Sequence, residues 1–301
     1  MRRAGVSYYH TQTQEYGIYE ARVHLFDKKY LDDKDKGSAN LTPAFLDSGS
    51  PWYRSYPVDL SVVDGDYTEF DDWHSILDRN EIFSLSPCMC RTKKIMQGEV
   101  GSLAELGIDC GHDDPIETCI CTGEQAQFII DIGAGRQITR DEAEAIWQRA
   151  VDRGMIIESV FSRNAENICC CHSDCCNYTG FIRAINGGPD MESVSNFYLA
   201  HDTETCIQCG ACVDRCPMHS IVMSEETGYP IVDNACVRCG QCALVCPVGA
   251  RKLVLKPEED RPYIPHTLLE DYKLKAQVRA AKGYLYDYPG QTAAAEAAAQ
   301  A

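Results

Sequence analysis

Residues 205–221, TCIQCGACVDRCPMHSI, and residues 235–250, ACVRCGQCALVCPVGA, decide how this chain folds. Each holds the spacing C-x2-C-x2-C-x3-C-P: Cys206, Cys209, Cys212 and Cys216 before Pro217, then Cys236, Cys239, Cys242 and Cys246 before Pro247. Three cysteines spaced three apart on a tight loop place their sulfurs at three corners of an iron–sulfur cube. The fourth stands on the helix that follows and cannot easily reach back, so it serves the neighbouring cube. The spacing therefore predicts one [4Fe–4S] cluster on Cys206, Cys209, Cys212 and Cys246, and a second on Cys236, Cys239, Cys242 and Cys216. Chance does not produce two tandem copies at identical spacing.

These two stretches resemble the bacterial dicluster ferredoxins, over roughly residues 200–256. Gly210 and Gly240 follow the second cysteine of each run, where backbone must pass close to inorganic sulfide. Pro217 and Pro247 end the local turn. Between the runs, SIVM and PIVD read as two short strands around the turn EETGYP, the hairpin that the resemblance implies. It also implies that each cluster carries one electron at low potential. A second likeness spans residues 87–180. There PCMCR, DCGHDDPIETCIC and ICCCHSDCC are similar to the cysteine-rich front half of larger anaerobe 4Fe–4S binding proteins that end in such a unit. That likeness implies further metal and is silent about substrate.

The chain has 301 residues and eighteen cysteines, eight of them in the two runs. Cys88, Cys90, Cys110, Cys119, Cys121, Cys169, Cys170, Cys171, Cys175 and Cys176 remain, gathered in three patches beside turn residues. Adjacent cysteines suit metal better than a disulfide framework. Three readings stay open: two more [4Fe–4S] clusters with two thiols to spare, one cluster and one zinc, or a single cubane with the rest structural. One grouping takes Cys88 or Cys90 with Cys110 and Cys119, and a second set mainly from residues 169–176. The sequence leaves the pairing open. His172 within CCCHSDCC either ligates iron or hydrogen-bonds a cluster sulfur, and His112 beside Cys110 has the same standing. Arg91 either offsets cluster charge or is simply solvated.

Acidic residues outnumber basic ones 45 to 28, a formal net charge of −17. Clusters ligated by four thiolates add roughly −2 apiece. Such a chain is a poor nucleic-acid binder, which would carry basic stripes. It suits docking to a basic face on a redox partner, although acidity also keeps any soluble protein dispersed. Arg2-Arg3 lacks the apolar segment that export needs, and no run of eighteen apolar residues occurs. The expectation is a reducing cytoplasm in an anaerobic cell.

The fold class expected is α+β: a two-cluster ferredoxin-like domain preceded by a mainly helical cysteine-rich domain and an irregular arm. The divisions are an aromatic, acidic arm over 1–80, a cysteine-rich metal-binding domain over 81–195, the dicluster domain over 196–256, and an extension over 257–301. In the arm, Tyr8, Tyr9, Tyr16, Tyr19, Tyr30, Trp52, Tyr53 and Tyr56 suit either a partner interface or a cover over the chain's own domains. Thr139 with Glu142 opens the helix RDEAEAIWQRAVDR, Gly154 closes it, and MIIESVF reads as a strand. The segment EQAQFIID reads as either helix or strand. FIIDIGAG, a helix and MIIES together imitate a dinucleotide-binding unit, with Glu158 in the ribose position, but the third glycine is missing. Near the end, TLLEDYKLKAQVRAAKG reads as a helix, followed by YLYDYPG and a low-complexity tail.

No nucleophile–base pair, phosphate loop or paired acid stands out, so no catalytic residue is assigned. The function expected is that of an electron-transfer iron–sulfur subunit, relaying single electrons through two ferredoxin-type clusters and one or two more. Its partner would be a redox enzyme subunit holding flavin, molybdenum, tungsten or corrinoid, in a hetero-oligomeric complex. Two alternatives are a catalytic iron–sulfur reductase with a substrate-binding cluster within 88–176, and a redox sensor whose extra clusters are structural.

Overall fold

The computed structural model describes residues 51, 53–98, 102–108, 117–184, 186–187 and 194–281. Cys110, His112, Trp52, most of the aromatic arm, YLYDYPG and the tail lie outside these residues. Helix and strand are mixed, as α+β requires. No helix among the described residues is long and apolar enough to cross a membrane.

A six-stranded sheet organises the cysteine-rich segment. Its strands are β1 (Tyr53–Ser55), β3 (Phe83–Pro87), β4 (Glu117–Thr122), β5 (Arg136–Ile138), β6 (Ile156–Val160) and β7 (Asn167–Cys171). The order is β1-β6-β7-β4-β3-β5, antiparallel throughout. Helices flank it: α1 (His74–Asp78), α2 (Met89–Gly98), α3 (Gly123–Asp131), α4 (Arg140–Asp152) and α5 (Asn177–Ala184). The expectation of a mainly helical segment thus missed its centre, because the strands are short and several carry cysteine or serine where a strand pattern wants apolar residues.

Side chains alternate across a strand, so the register sorts this sheet into two unlike faces. Phe83 and Leu85 of β3, Ile120 of β4, Ile168 of β7 and Ile157 of β6 share one face and the main core. Helix α4 covers it with Ala143, Ile146, Trp147 and Ala150, the face its periodicity predicts. Thr139 caps α4 by accepting a hydrogen bond from the Glu142 amide, at 3.1 Å. The other half of the box is not made; Glu142 pairs with Arg136 instead. Trp147 meets Trp73 edge-on at 5.5 Å between ring centres. The opposite sheet face carries Ser84 and Ser86, Cys119 and Cys121, Glu158, and Asn167, Cys169 and Cys171. Residues 124–131 are helical, so the dinucleotide-like pattern has no first strand.

The second unit is built on β8 (Phe197–His201), antiparallel to β11 (Arg251–Leu255), and on the hairpin β9 (Ile221–Met223) with β10 (Pro230–Val232). Each cysteine loop enters a one-turn helix, α6 (Ala211–Asp214) or α7 (Gln241–Leu244). The backbone repeats with the sequence. Gln208 and Arg238 have φ of 57° and 56°, Gly210 and Gly240 of 78° and 85°, His219 and Gly249 of 51° and 65°. Left-handed backbone is costly for residues with a Cβ, so recurrence at matched positions marks two copies of one loop. Gly240 has a further reason, since a Cβ there would meet Val62 Cγ2 at 2.8 Å.

One strap ties the units together. β1 pairs with β6 in the large sheet, and β2 (Val63–Asp64) adds in parallel to β11 in the other. Between them the Val58 amide donates to Cys239 O at 2.9 Å, and Ser55 Oγ donates to Val237 O. Tyr56 and Trp73 are buried in the core, so this described part of the aromatic segment packs internally. The helix α8 (Leu268–Ala281) follows the ferredoxin-like unit as expected. Its Lys275 pairs with Asp271, donates to Pro51 O at 2.8 Å and sits over the Phe161 ring.

Candidate metal centres

The first cysteine loop opens on a cavity lined by Cys206, Cys209, Cys212 and Cys246, with Gly210, Pro230 and Val248 among its walls. Cys246 belongs to the second run. The reciprocal set gathers inside: Cys216 feels the charge of Cys236, and Cys239 that of Cys242, Cys216 and Cys236. Cys246 of the second run thus lines the cavity of the first loop, and Cys216 of the first run lies near the cysteines of the second.

The donor sets fit cubane clusters. Each offers four thiols, and backbone N–H groups converge on the sulfurs. Ser220 N donates to Cys216 Sγ at 3.4 Å. Burial raises the Cys246 thiol, but the N–H groups of Val248, Arg251, Ala250 and Gly249 outweigh it and leave it below the usual thiol range. Buried Cys239 and Cys242 are pushed up by desolvation, a cost that binding of a cation removes. In the first set Cys209 is exposed, Cys206 and Cys246 half-buried and Cys212 buried; in the second Cys216, Cys239 and Cys242 are buried and Cys236 half-buried. The first set is therefore the more exposed of the two.

The three upstream patches converge on the serine- and cysteine-lined sheet face. Cys169 lies across from Glu158 of β6, and one step along the β4–β7 register brings Cys119 beside it. Helix α2 and the turn before it supply Cys90 and Cys88, and the loop after β7 supplies Cys176. Their thiols form an unbroken succession from Cys88 to Cys90, Cys176, Cys171, Cys169, Cys119 and Cys121. Asn167 Nδ2 donates to Cys119 Sγ at 3.5 Å, and Cys169 Sγ to Asn167 Oδ1 at 3.4 Å. The structure thus puts the 88–90 pair against Cys176 and Cys119 against Cys169, interleaving patches that chain order keeps apart.

Two cysteines stand aside. Cys170 points to the apolar face, where burial raises its thiol. Cys175 Sγ donates to His172 O at 3.4 Å. His172 faces Asp174 and His219; its Nδ1 accepts from the Asp174 amide at 3.3 Å, and burial lowers its pKa.

Charge at this site is organised by two residues whose roles sequence reasoning misjudged. Arg91 is fully buried, which removes the solvated reading. It donates to Thr118 Oγ1 at 2.8 Å and Cys170 O at 3.0 Å. The Cys88 thiol is lowered to about 6, first by its hydrogen bond with Cys90 and, against burial, by the Arg91 charge. Glu158 is buried among thiols, and desolvation followed by the Cys176 and Cys169 charges pushes its carboxyl well up. Its signal in the sequence was a lone acid in an otherwise apolar strand, MIIESV.

Residues 205–250 match the family described as 4Fe-4S dicluster domain. No curated protein and no solved structure matches the chain. With the repeated loops, the hairpin and the two four-thiol sets in place, the C-terminal region is a 4Fe–4S ferredoxin-type domain that provides for at least two [4Fe–4S] clusters.

Proposed function

We propose that this chain is an electron-transfer iron–sulfur subunit that relays single electrons to or from a redox enzyme partner. Cys206, Cys209, Cys212 and Cys246 would hold one cluster, and Cys236, Cys239, Cys242 and Cys216 the second. The ten upstream cysteines would hold one or two more, and of these Cys88, Cys90, Cys119, Cys121, Cys169, Cys171 and Cys176 adjoin one another and would hold the third. When bound, each cluster supplies a one-electron couple tuned by hydrogen bonds and burial.

The observation that carries this reading is the serial placement of the thiol sets. The first set is the more exposed, and the Cys216 segment of the second abuts the upstream loop. Ser173 N donates to Pro217 O at 3.0 Å, directly after Cys216, and His219 Nε2 lies 3.1 Å from Asp174 Oδ2. Polypeptide contact therefore joins the Cys216 corner to the Cys171–Cys176 corner. Acidic residues steer the chain toward a basic docking face. The partner would hold flavin, molybdenum, tungsten or corrinoid in a cytoplasmic complex of an anaerobic cell.

Anaerobic isolation of the chain with its native neighbours tests this. Co-purification with such a subunit, and electron exchange with it, is expected. Rapid substrate turnover by the isolated chain would overturn the carrier assignment in favour of a catalytic reductase.

A further inference from the structure

We infer that Glu158 is an oxygen ligand of the upstream iron–sulfur centre, completing a mixed shell with Cys171 and Cys176. This rests on the reading that the upstream thiols hold such a centre. It goes beyond that reading by giving one iron of the centre a carboxylate oxygen beside the two sulfurs.

Geometry supports the assignment. A carboxylate oxygen of Glu158 and the sulfurs of Cys171 and Cys176 all lie within 4.8 Å of one another, and all three residues are buried. They come from three places in the chain: strand β6, the end of strand β7 and the turn into helix α5. Cys176 Sγ donates to Glu158 Oε1 at 3.8 Å, a long contact. Glu158 is 2% exposed, and its polar neighbours include Cys176, Cys169, Cys171 and Ser55, which faces it from β1. No lysine, arginine or histidine forms an ion pair with it among the described residues.

A carboxylate buried this deeply is ionised only when a cation compensates it. The buried Arg91 bonds Thr118 Oγ1, on the Ile120 face of the sheet, together with Met155 Sδ and Cys170 O. The strand pattern gives Glu158 no packing reason to be there, because its neighbour on the same face of β6 is Ile156. A metal bridging the carboxylate and the two thiolates satisfies all three groups together. Carboxylate oxygen is a harder donor than thiolate, so the iron it holds differs electronically from its all-sulfur neighbours.

The test is anaerobic reconstitution of the full chain with iron-57 and sulfide, followed by iron counting and Mössbauer spectroscopy. Wild type, Glu158→Gln and Glu158→Cys are compared, with the ferredoxin EPR signals as the folding control. Wild type is expected to hold more than the roughly eight irons of two cubanes, including an iron doublet of higher isomer shift than the rest. Glu158→Gln should lose that doublet. Glu158→Cys should keep the iron count and convert the doublet to the all-thiolate type, which decides the matter even if the glutamine variant fails to fold. Unchanged iron and unchanged spectra in the variants would overturn the ligand assignment while sparing the upstream centre. A wild-type count of only about eight irons would remove the upstream centre itself, and the ligand with it.

Discussion

Gln241 Nε2 donates to Met155 O at 2.7 Å and also to Val151 O at 2.9 Å, so the helix carrying Cys242 is fixed to the strand carrying Glu158. Arg215 extends the clamp: it bonds Gln241 Oε1 at 2.9 Å and the carbonyls of Val151 and Asp152 at 2.8 Å. Both residues stand immediately before cysteines of the ferredoxin-type runs, Cys242 and Cys216. The two units therefore share hydrogen bonds as well as one contiguous core.

Replacing Gln241 with leucine keeps the volume but takes the Gln241 donor from Met155 O and the Gln241 acceptor from Arg215 Nε, while Val151 O keeps Arg215 Nη2 and the Gly154 amide. Each unsatisfied group costs about 1–3 kcal/mol. The expected outcome is a lower denaturant midpoint for the whole chain, together with faster limited proteolysis between the units. An unchanged midpoint would show that the clamp contributes nothing.

A buried ion pair anchors the strap. Arg54 Nη2 lies 2.7 Å from Asp71 Oδ1, both side chains almost fully buried, and Asn196 Nδ2 donates to the same oxygen at 2.8 Å. Arg54→Met leaves the carboxylate uncompensated and is expected to cost about 3–5 kcal/mol. The double variant Arg54→Met with Asp71→Leu should recover much of that loss, because the pair itself is weakly stabilising once desolvation is counted. Chemical denaturation of Arg54→Met, Asp71→Leu and the double variant measures the coupling.

Gly210 and Gly240 occupy matched positions but are not equally replaceable. Alanine at Gly210 meets open space and is charged only for left-handed backbone, about 1–2 kcal/mol. Alanine at Gly240 carries the same backbone term and also presses on Val62 and Leu253, adding roughly 1–3 kcal/mol. Thermal unfolding should rank Gly240→Ala below Gly210→Ala. The reverse order would contradict the packing of the strap against α7.

Crossed ligation makes its own prediction. Cys216→Ser should alter the EPR signal that Cys239→Ser alters, and Cys246→Ser the signal that Cys209→Ser alters. Matching within each run instead would refute the crossing.

Much of this was legible in the chain. The cysteine spacing, the hairpin strands and α4 between Thr139 and Gly154 follow from local rules of ligand reach, turn chemistry and 3.6-residue periodicity. The six-stranded sheet was not legible. Three-residue strands such as β1 and β5 are too short to show alternation, and residues 168–171 read as metal ligands rather than as the strand they form. EQAQFIID was ambiguous because its apolar residues run together at its end. The merging of the cysteine patches depends on which strands are neighbours, which no local pattern encodes. Burial of Arg91 and Glu158 was hidden for the same reason.

The central claim is that a ferredoxin-type pair continues into a further centre held by the upstream thiols. Iron and sulfide counts on the anaerobically reconstituted full chain, combined with EPR at stepped potentials, test it most directly. The account predicts more than about eight irons per chain, with an additional signal that disappears in a Cys171→Ser, Cys176→Ser variant while the two ferredoxin signals persist. About eight irons, and no signal sensitive to those two cysteines, would contradict it.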